Sequence, residues 1–161
     1  MQKFIKCYVV PVFLFLPLLA CATDTTIDKL LSSTTEPAGV IIEIVTADSQ
    51  GLSWALPQAR QYIKKLRQRF PGIPIAIVTH GQEQFALQSK QAQRKNKIHS
   101  LARALRKDDV QLHVCGTFAG WRGLAKEDFP DYVDVAPAGP SQVNDYLALE
   151  YQLVIIKQRN K

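Results

Sequence analysis

Apolar residues in this chain fall into two kinds of stretch that alternate along its length. Residues 40–45 and 75–79 are short and largely apolar, with many β-branched side chains, as in the buried strands of parallel sheets, and residues 110–114 alternate apolar with polar side chains, the period-2 pattern of a strand. Residues 52–70 and 98–105 instead place apolar side chains three and four positions apart, the spacing of a helix that buries one face. The pattern therefore predicts strands that alternate with helices.

Shorter signals complete the pattern towards the end of the chain. Residues 133–135 and 151–156 read as two further strands, and residues 121–128 as a short helix. A proline-rich turn at 136–140 precedes a helix start near Ser141. Five alternations predict an α/β fold, with three α/β/α layers around a five-stranded, mostly parallel sheet.

Residues 1–22 have the three parts of a secretory signal. Lys3 and Lys6 form the positive start, residues 9–20 the apolar middle, and small residues close the segment. The apolar run of about a dozen residues is too short to span a bilayer. We therefore expect export and a periplasmic location.

Two kinds of processing fit this leader. Ala20-Cys21-Ala22 obeys the Ala-x-Ala rule, with cleavage after Ala22. Residues 18–21 also form a loose lipobox, in which Cys21 would be lipidated, and only that outcome would attach the protein to a membrane. After the leader, residues 23–38 are rich in Thr and Ser and predict a polar tether with little structure. The folded domain is expected over residues 39–157.

The net charge of the chain excludes few classes of partner. The formal net charge is +6, and without Lys3 and Lys6 there remain 18 basic and 14 acidic residues. Such a small excess of basic residues does not indicate a polyanionic partner. Export argues further against a nucleic-acid partner. The segment 82–97 is very polar, with five glutamines, and predicts a solvated excursion with a short helix at most, although its basic residues could attract anions.

Cys115 is the one cysteine outside the leader. It ends a predicted strand and precedes Gly116 and a helix, where α/β folds place ligand sites and where unpaired N–H groups favour a thiolate. A lone thiol in an oxidising compartment indicates burial, pairing between chains, or chemistry. The alternative is that Cys115 is simply a small buried apolar residue.

The loops after the first three strands should meet at the same edge of the sheet. That edge would gather Asp48, His80 with Gly81, and Cys115 with Gly116, while Arg122 and His113 could add positive charge. His80 could orient a ligand or move a proton, or it could be a capping or surface histidine. The three histidines lack the spacing of a zinc site, and no glycine-rich phosphate loop is present, so neither a metal nor a cofactor is expected.

An ordered set of short motifs resembles the DsrE/DsrF-like (YchN-like) family. The motifs are His80-Gly81 after the second strand, Cys115-Gly116 after the third, and Phe129-Pro130 with Val133 and Val135 before the turn at 137–140. The resemblance covers residues 40–156. It implies a compact α/β fold, assembly as homotrimers or larger rings, and, as in several relatives, sulfur carried as a persulfide on a cysteine whose place matches Cys115.

Two classes of function follow from these observations. The first is a periplasmic protein that handles sulfur or thiols through Cys115, which would need a sulfur donor and an acceptor protein. The second is a non-catalytic domain that binds a small anion or docks as an oligomer, with Cys115 merely packed.

Overall fold

The computed structural model describes residues 25–158, which form a five-stranded sheet with helices on both faces. The strand order is β4-β3-β2-β1-β5, and all neighbouring strands are parallel. The predicted α/β fold is confirmed, and the sheet is wholly parallel. The strands are β1 (Val40–Ile44), β2 (Ile75–Thr79), β3 (Val110–Cys115), β4 (Asp134–Ala136) and β5 (Gln152–Ile156).

Within the described part of the chain, five helices connect and cover these strands. They are α1 (Thr25–Ser32), α2 (Leu52–Arg69), α3 (Asn96–Lys107), α4 (Gly116–Gly120) and α5 (Gly139–Ala148), with 3-10 helices at Gln82–Leu87, Ser89–Gln91 and Lys126–Asp128. Helices α1, α2 and α3 share the larger apolar core on one face of the sheet. Helix α5 packs Val143 and Tyr146 against Ile41, Ala76 and Val78 on the opposite face. Parallel strands buried on both faces explain the nearly continuous apolar runs in the sequence.

Residues 25–32 correct the expectation of an unstructured tether. They form helix α1, in which Ile27 is only 2% exposed and joins the main core, with Leu30 and Leu31 packed against it. These apolar residues recur at helical spacing within a stretch rich in Thr and Ser, so its average polarity hid an amphipathic helix. The leader and both of its processing sites lie outside the described residues.

The helix expected at 121–128 is also wrong. Helix α4 begins at Gly116, directly after Cys115, and a separate 3-10 helix covers Lys126–Asp128. Because no loop separates β3 from α4, the first turn of α4 lies against the end of β3. This turn forms part of the surroundings of the Cys115 thiol. None of the helices within residues 25–158 combines the length and apolar character needed to cross a bilayer.

Candidate functional site

The parallel register places His80 beside Cys115. Thr79 pairs with Val114, so the next residue of each chain segment lies at the same level of the sheet edge. Neighbouring strands are about 4.8 Å apart, and residues an even number apart point to the same face. His80 and Cys115 therefore lie on the face that α5 covers, as the loop argument from the sequence predicts.

Cys115 is held from both sides. Its backbone N–H donates to Oε1 of Gln84 at 2.7 Å, and its sulfur accepts from the backbone N–H of Phe118 at 3.4 Å. The thiol is free, with no disulfide partner in the described part of the chain. The residue is only 5% exposed. Of the readings that the sequence offered for a lone thiol, burial is therefore the one that the structure shows, because α4 starts immediately at Gly116.

A pocket of about 400 Å³ nevertheless opens onto this thiol. We call it the thiol pocket. Its walls come from the start of α4 and the start of α5, and its rim carries Trp121, which is 77% exposed. The lining is mostly apolar, so the thiol faces a space suited to a small substrate or to an apolar side chain of a partner. The lining residues are His80, Cys115, Thr117, Phe118, Trp121, Ala138 and Pro140.

His80 is fixed in the thiol pocket by a carboxylate that the sequence analysis missed. Its Nε2 lies 2.8 Å from Oε1 of Glu43, and the two side chains are 14% and 18% exposed. A Cβ added at Gly139 would lie 2.4 Å from Cβ of His80, so this glycine lets α5 pack directly on the histidine. The sequence does contain a signal for this role, because Glu43 is the single acidic residue within the apolar run 40–45. A carboxylate in a buried strand needs a polar or charged partner.

A second missed residue, Glu83, joins the loops around the site. Its buried carboxylate accepts from Thr46 N at 2.9 Å, Thr79 Oγ1 at 2.6 Å and Gly81 N at 2.8 Å. A Cβ added at Gly81 would lie 2.4 Å from Oε2 of Glu83, so Gly81 is needed for this close approach rather than for a ligand. The predicted solvated excursion at 82–97 is wrong for its first half, because Glu83, Gln84, Ala86 and Leu87 are buried.

His113 belongs to a separate buried network and adds no positive charge to the thiol. Its Nε2 lies 2.9 Å from the hydroxyl of Tyr146, which donates to Oε1 of Gln111 at 2.5 Å. That donation leaves His113 as the donor to Tyr146. Burial lowers the pKa of His113, although Asp134 opposes the shift, and burial raises the pKa of Tyr146 to about 12. His113 is therefore neutral near pH 7.

The other predicted site residues lie outside the thiol pocket. Arg122 donates to Oε1 of Gln82 at 2.9 Å and stacks over the rings of Phe85 and Phe118 at 5.3 and 5.8 Å. Asp48 closes its own loop, since its Oδ1 accepts from Gln50 N at 2.8 Å. A Cβ at Gly116 would lie 2.8 Å from the carbonyl oxygen of Ala136, so Gly116 serves the contact with β4.

The described residues contain no group of three or more His, Cys, Asp or Glu side chains placed to hold a metal ion. What the thiol pocket offers instead is a sulfur nucleophile next to an imidazole held by a carboxylate. Thiol chemistry uses that combination when the imidazole can accept the thiol proton.

Comparison with known proteins agrees with this fold. The protein of unknown function MTH1491 from Methanobacterium thermoautotrophicum is similar in structure, with a TM-score of 0.60, 14% identity, and coverage of 73% of this chain and 97% of that one. The ychN protein from E. coli gives a TM-score of 0.53 and 14% identity, over 73% of this chain and 99% of that one. No curated protein matches the chain in sequence. The model of the DsrE/DsrF-like family matches residues 47–155, and the chain belongs to that family.

Proposed function

We propose that this chain is an exported DsrE-like protein that handles sulfur or thiols through Cys115, and that it works as a homo-oligomer. One observation carries the proposal: Cys115 and His80 line the same pocket, and His80 is held there by Glu43 at 2.8 Å. A cysteine that was only packing material would not need an oriented imidazole next to it.

The chemistry balances without a cofactor. His80 takes the proton of the Cys115 thiol, and the thiolate attacks the outer sulfur of a donor persulfide, R–S–SH. A new S–S bond forms on Cys115 while the S–S bond of the donor breaks. The leaving thiolate R–S⁻ takes the proton back from His80 and departs as R–SH. Transfer to an acceptor thiol is the same exchange in reverse.

Glu43 has a positioning role in this scheme. Its carboxylate fixes the ring of His80 and stabilises the imidazolium while the proton is held, as the third group does in nucleophile–base–carboxylate arrangements. The apolar lining of the thiol pocket limits water, which protects a persulfide from hydrolysis and oxidation.

The compartment and the assembly are supported by the sequence alone. The leader at 1–22 supports export, and family resemblance supports a trimer or a multiple of three. Mass spectrometry of the mature protein should find Thr23 as the first residue or a lipid on Cys21. Light scattering should give a mass above that of one chain.

Burial of Cys115 favours a second candidate. A thiol only 5% exposed, under an apolar lining, also suits a domain that binds a small ligand without chemistry. The two candidates differ in whether sulfur becomes covalently attached.

Sulfur loading separates these candidates. Native protein is incubated with a small organic persulfide and its intact mass is measured without reductant. We expect a gain of one sulfur atom that is reversed by a thiol reductant and absent from Cys115→Ser. Glu43→Gln should load more slowly to the same final extent. No mass gain in native protein, beside full loading of a denatured sample, would favour the binding domain.

A further inference from the structure

A second pocket lies at the same edge of the sheet, on the far side of Phe118 from the thiol. It has a volume of about 340 Å³ and shares no lining residue with the thiol pocket. We call it the Arg122 pocket. Its walls come from the loops that follow β1, β2 and β3, where parallel α/β sheets bind their ligands. It is lined by Ser49, Gln82, Phe85, Gln88, Lys90, Arg122 and Leu124.

The charges of the Arg122 pocket all have one sign. Arg122 and Lys90 line it, and no carboxylate does. Arg122 is positioned by its hydrogen bond to Gln82 and by stacking on Phe85 and Phe118. A guanidinium has five N–H donors, so one bond to Gln82 leaves others for a ligand. A held arginine beside a lysine is an arrangement that recognises oxyanions.

Gln88 is an independent sign that this pocket receives a ligand. The side chain lines the pocket and is only 7% exposed, and its Oε1 is buried with no hydrogen-bond partner among the described residues. Such an orphaned acceptor is costly to keep. The terminal torsion of a glutamine is soft, so a small rotation can turn this unpartnered oxygen towards a ligand that donates a hydrogen bond.

We propose that the Arg122 pocket binds a small oxyanion that also carries a hydrogen-bond donor. The anionic oxygens accept from Arg122 and Lys90, and the donor satisfies Gln88. Hydrogen phosphate and short hydroxycarboxylates both have this chemistry. This site is separate from the proposed sulfur chemistry and goes beyond it.

The test is thermal melting of the full chain at constant ionic strength, with chloride as the reference. Inorganic phosphate should raise the melting temperature by a few degrees at saturation, because a ligand that binds only the folded state stabilises it. Sulfate, which lacks a donor, should do so less. Glycolate compared with acetate distinguishes a hydroxycarboxylate ligand from phosphate.

Variants of two lining residues, with a control outside the pocket, locate the effect. Arg122→Gln should lose at least about 10-fold in affinity for phosphate, the amount expected for removal of a charged hydrogen bond. Arg94→Gln is the control, since Arg94 is an exposed arginine of the segment after β2, which contributes Lys90 to the pocket, but does not itself line it. Gln88→Met should remove the preference for phosphate over sulfate. If Gln88→Met folds poorly, Gln88→Glu keeps the length of the side chain and should repel the anion.

Three results would overturn the proposal. They are no stabilisation of the native protein by phosphate or glycolate, equal losses in Arg122→Gln and Arg94→Gln, and a sulfate effect as large as that of phosphate. Cys115→Ser should bind the anion normally. A failure of this proposal is therefore separable from a failure of sulfur loading.

Discussion

The thiol pocket and the Arg122 pocket occupy the same edge of the sheet but are built in different ways. The thiol pocket gathers side chains from strand ends and helix starts, and the thiol of Cys115 and the imidazole of His80 are largely buried. The Arg122 pocket is made mainly from irregular loop segments and presents exposed cations. The first suits chemistry that needs fixed geometry and little water, and the second suits recognition of a charged ligand.

Shared supports lie beneath both pockets. Phe118 lines the thiol pocket, and the guanidinium of Arg122 stacks over its ring. Its backbone N–H donates to the sulfur of Cys115. Gln84 belongs to the buried 3-10 helix Gln82–Leu87 and holds Cys115 N. Changes to the common supports should therefore disturb both pockets, and changes to one wall should disturb only one.

The largest effect is expected at Glu83, which supports both pockets. Glu83→Ala leaves three donors without their acceptor, at Thr46, Thr79 and Gly81, and should lower the unfolding free energy by about 3 kcal/mol. Urea unfolding measures this loss of unfolding free energy. The exposed Glu127→Ala is the control and should change stability by less than about 0.5 kcal/mol. A loss as small as that of the control would mean that this carboxylate does not hold the loops.

A smaller effect, limited to the thiol pocket, is expected from a substitution at Gly139. Gly139→Ala drives a Cβ into His80 and should cost about 2 kcal/mol while slowing reactions of Cys115. Phosphate binding at the Arg122 pocket should stay unchanged. Gly120→Ala, where the added Cβ meets nothing within 4 Å, is the matched control. Loss of phosphate binding in Gly139→Ala would show that the two pockets are not independent.

Acid should weaken the fold through two buried histidines, His99 and His113. Burial lowers the pKa of His99, helped by Arg103 and opposed by the bond to Ala86, and burial also lowers that of His113. The unfolded chain therefore binds more protons than the folded chain as the pH falls through about 6.5. Stability present above that pH should be lost towards pH 5, by at most about 1.4 kcal/mol per pH unit for each histidine.

Variants assign the acid effect to each side of the molecule. His99 joins Ala86 of the buried 3-10 helix to Tyr132, and His113 contacts Tyr146 of α5. His99→Gln and His113→Gln should each flatten the dependence of the urea midpoint on pH between 7.5 and 5.5. An unchanged slope in both variants would place the acid sensitivity elsewhere.

The sequence predicts the strands of the sheet better than the loops between the elements. Short apolar or alternating stretches suffice to place the five strands of the described residues, and the crevice rule brings His80 next to Cys115, because strand ends are fixed by register. The rule does not tell that Asp48 and Arg122 stay out of the thiol pocket, since their directions depend on loop contacts with Gln50 and Gln82. Burial of Glu83 and Gln84 could not be anticipated, since it depends in part on hydrogen bonds from the backbone N–H groups of Thr46 and Cys115, which lie far along the chain.

The central claim is that the Cys115 thiol reacts while the protein is folded. The direct measurement is the rate of alkylation of native protein by iodoacetamide, beside a sample in denaturant at the same pH. The account predicts reaction through the thiol pocket within about 100-fold of the denatured rate, and a slower rate in His80→Ala. A core thiol that reacts only after global unfolding would be slowed at least about 1,000-fold, because unfolding costs 5 kcal/mol or more in typical domains. Protection of that size, unchanged by His80→Ala, would contradict the account.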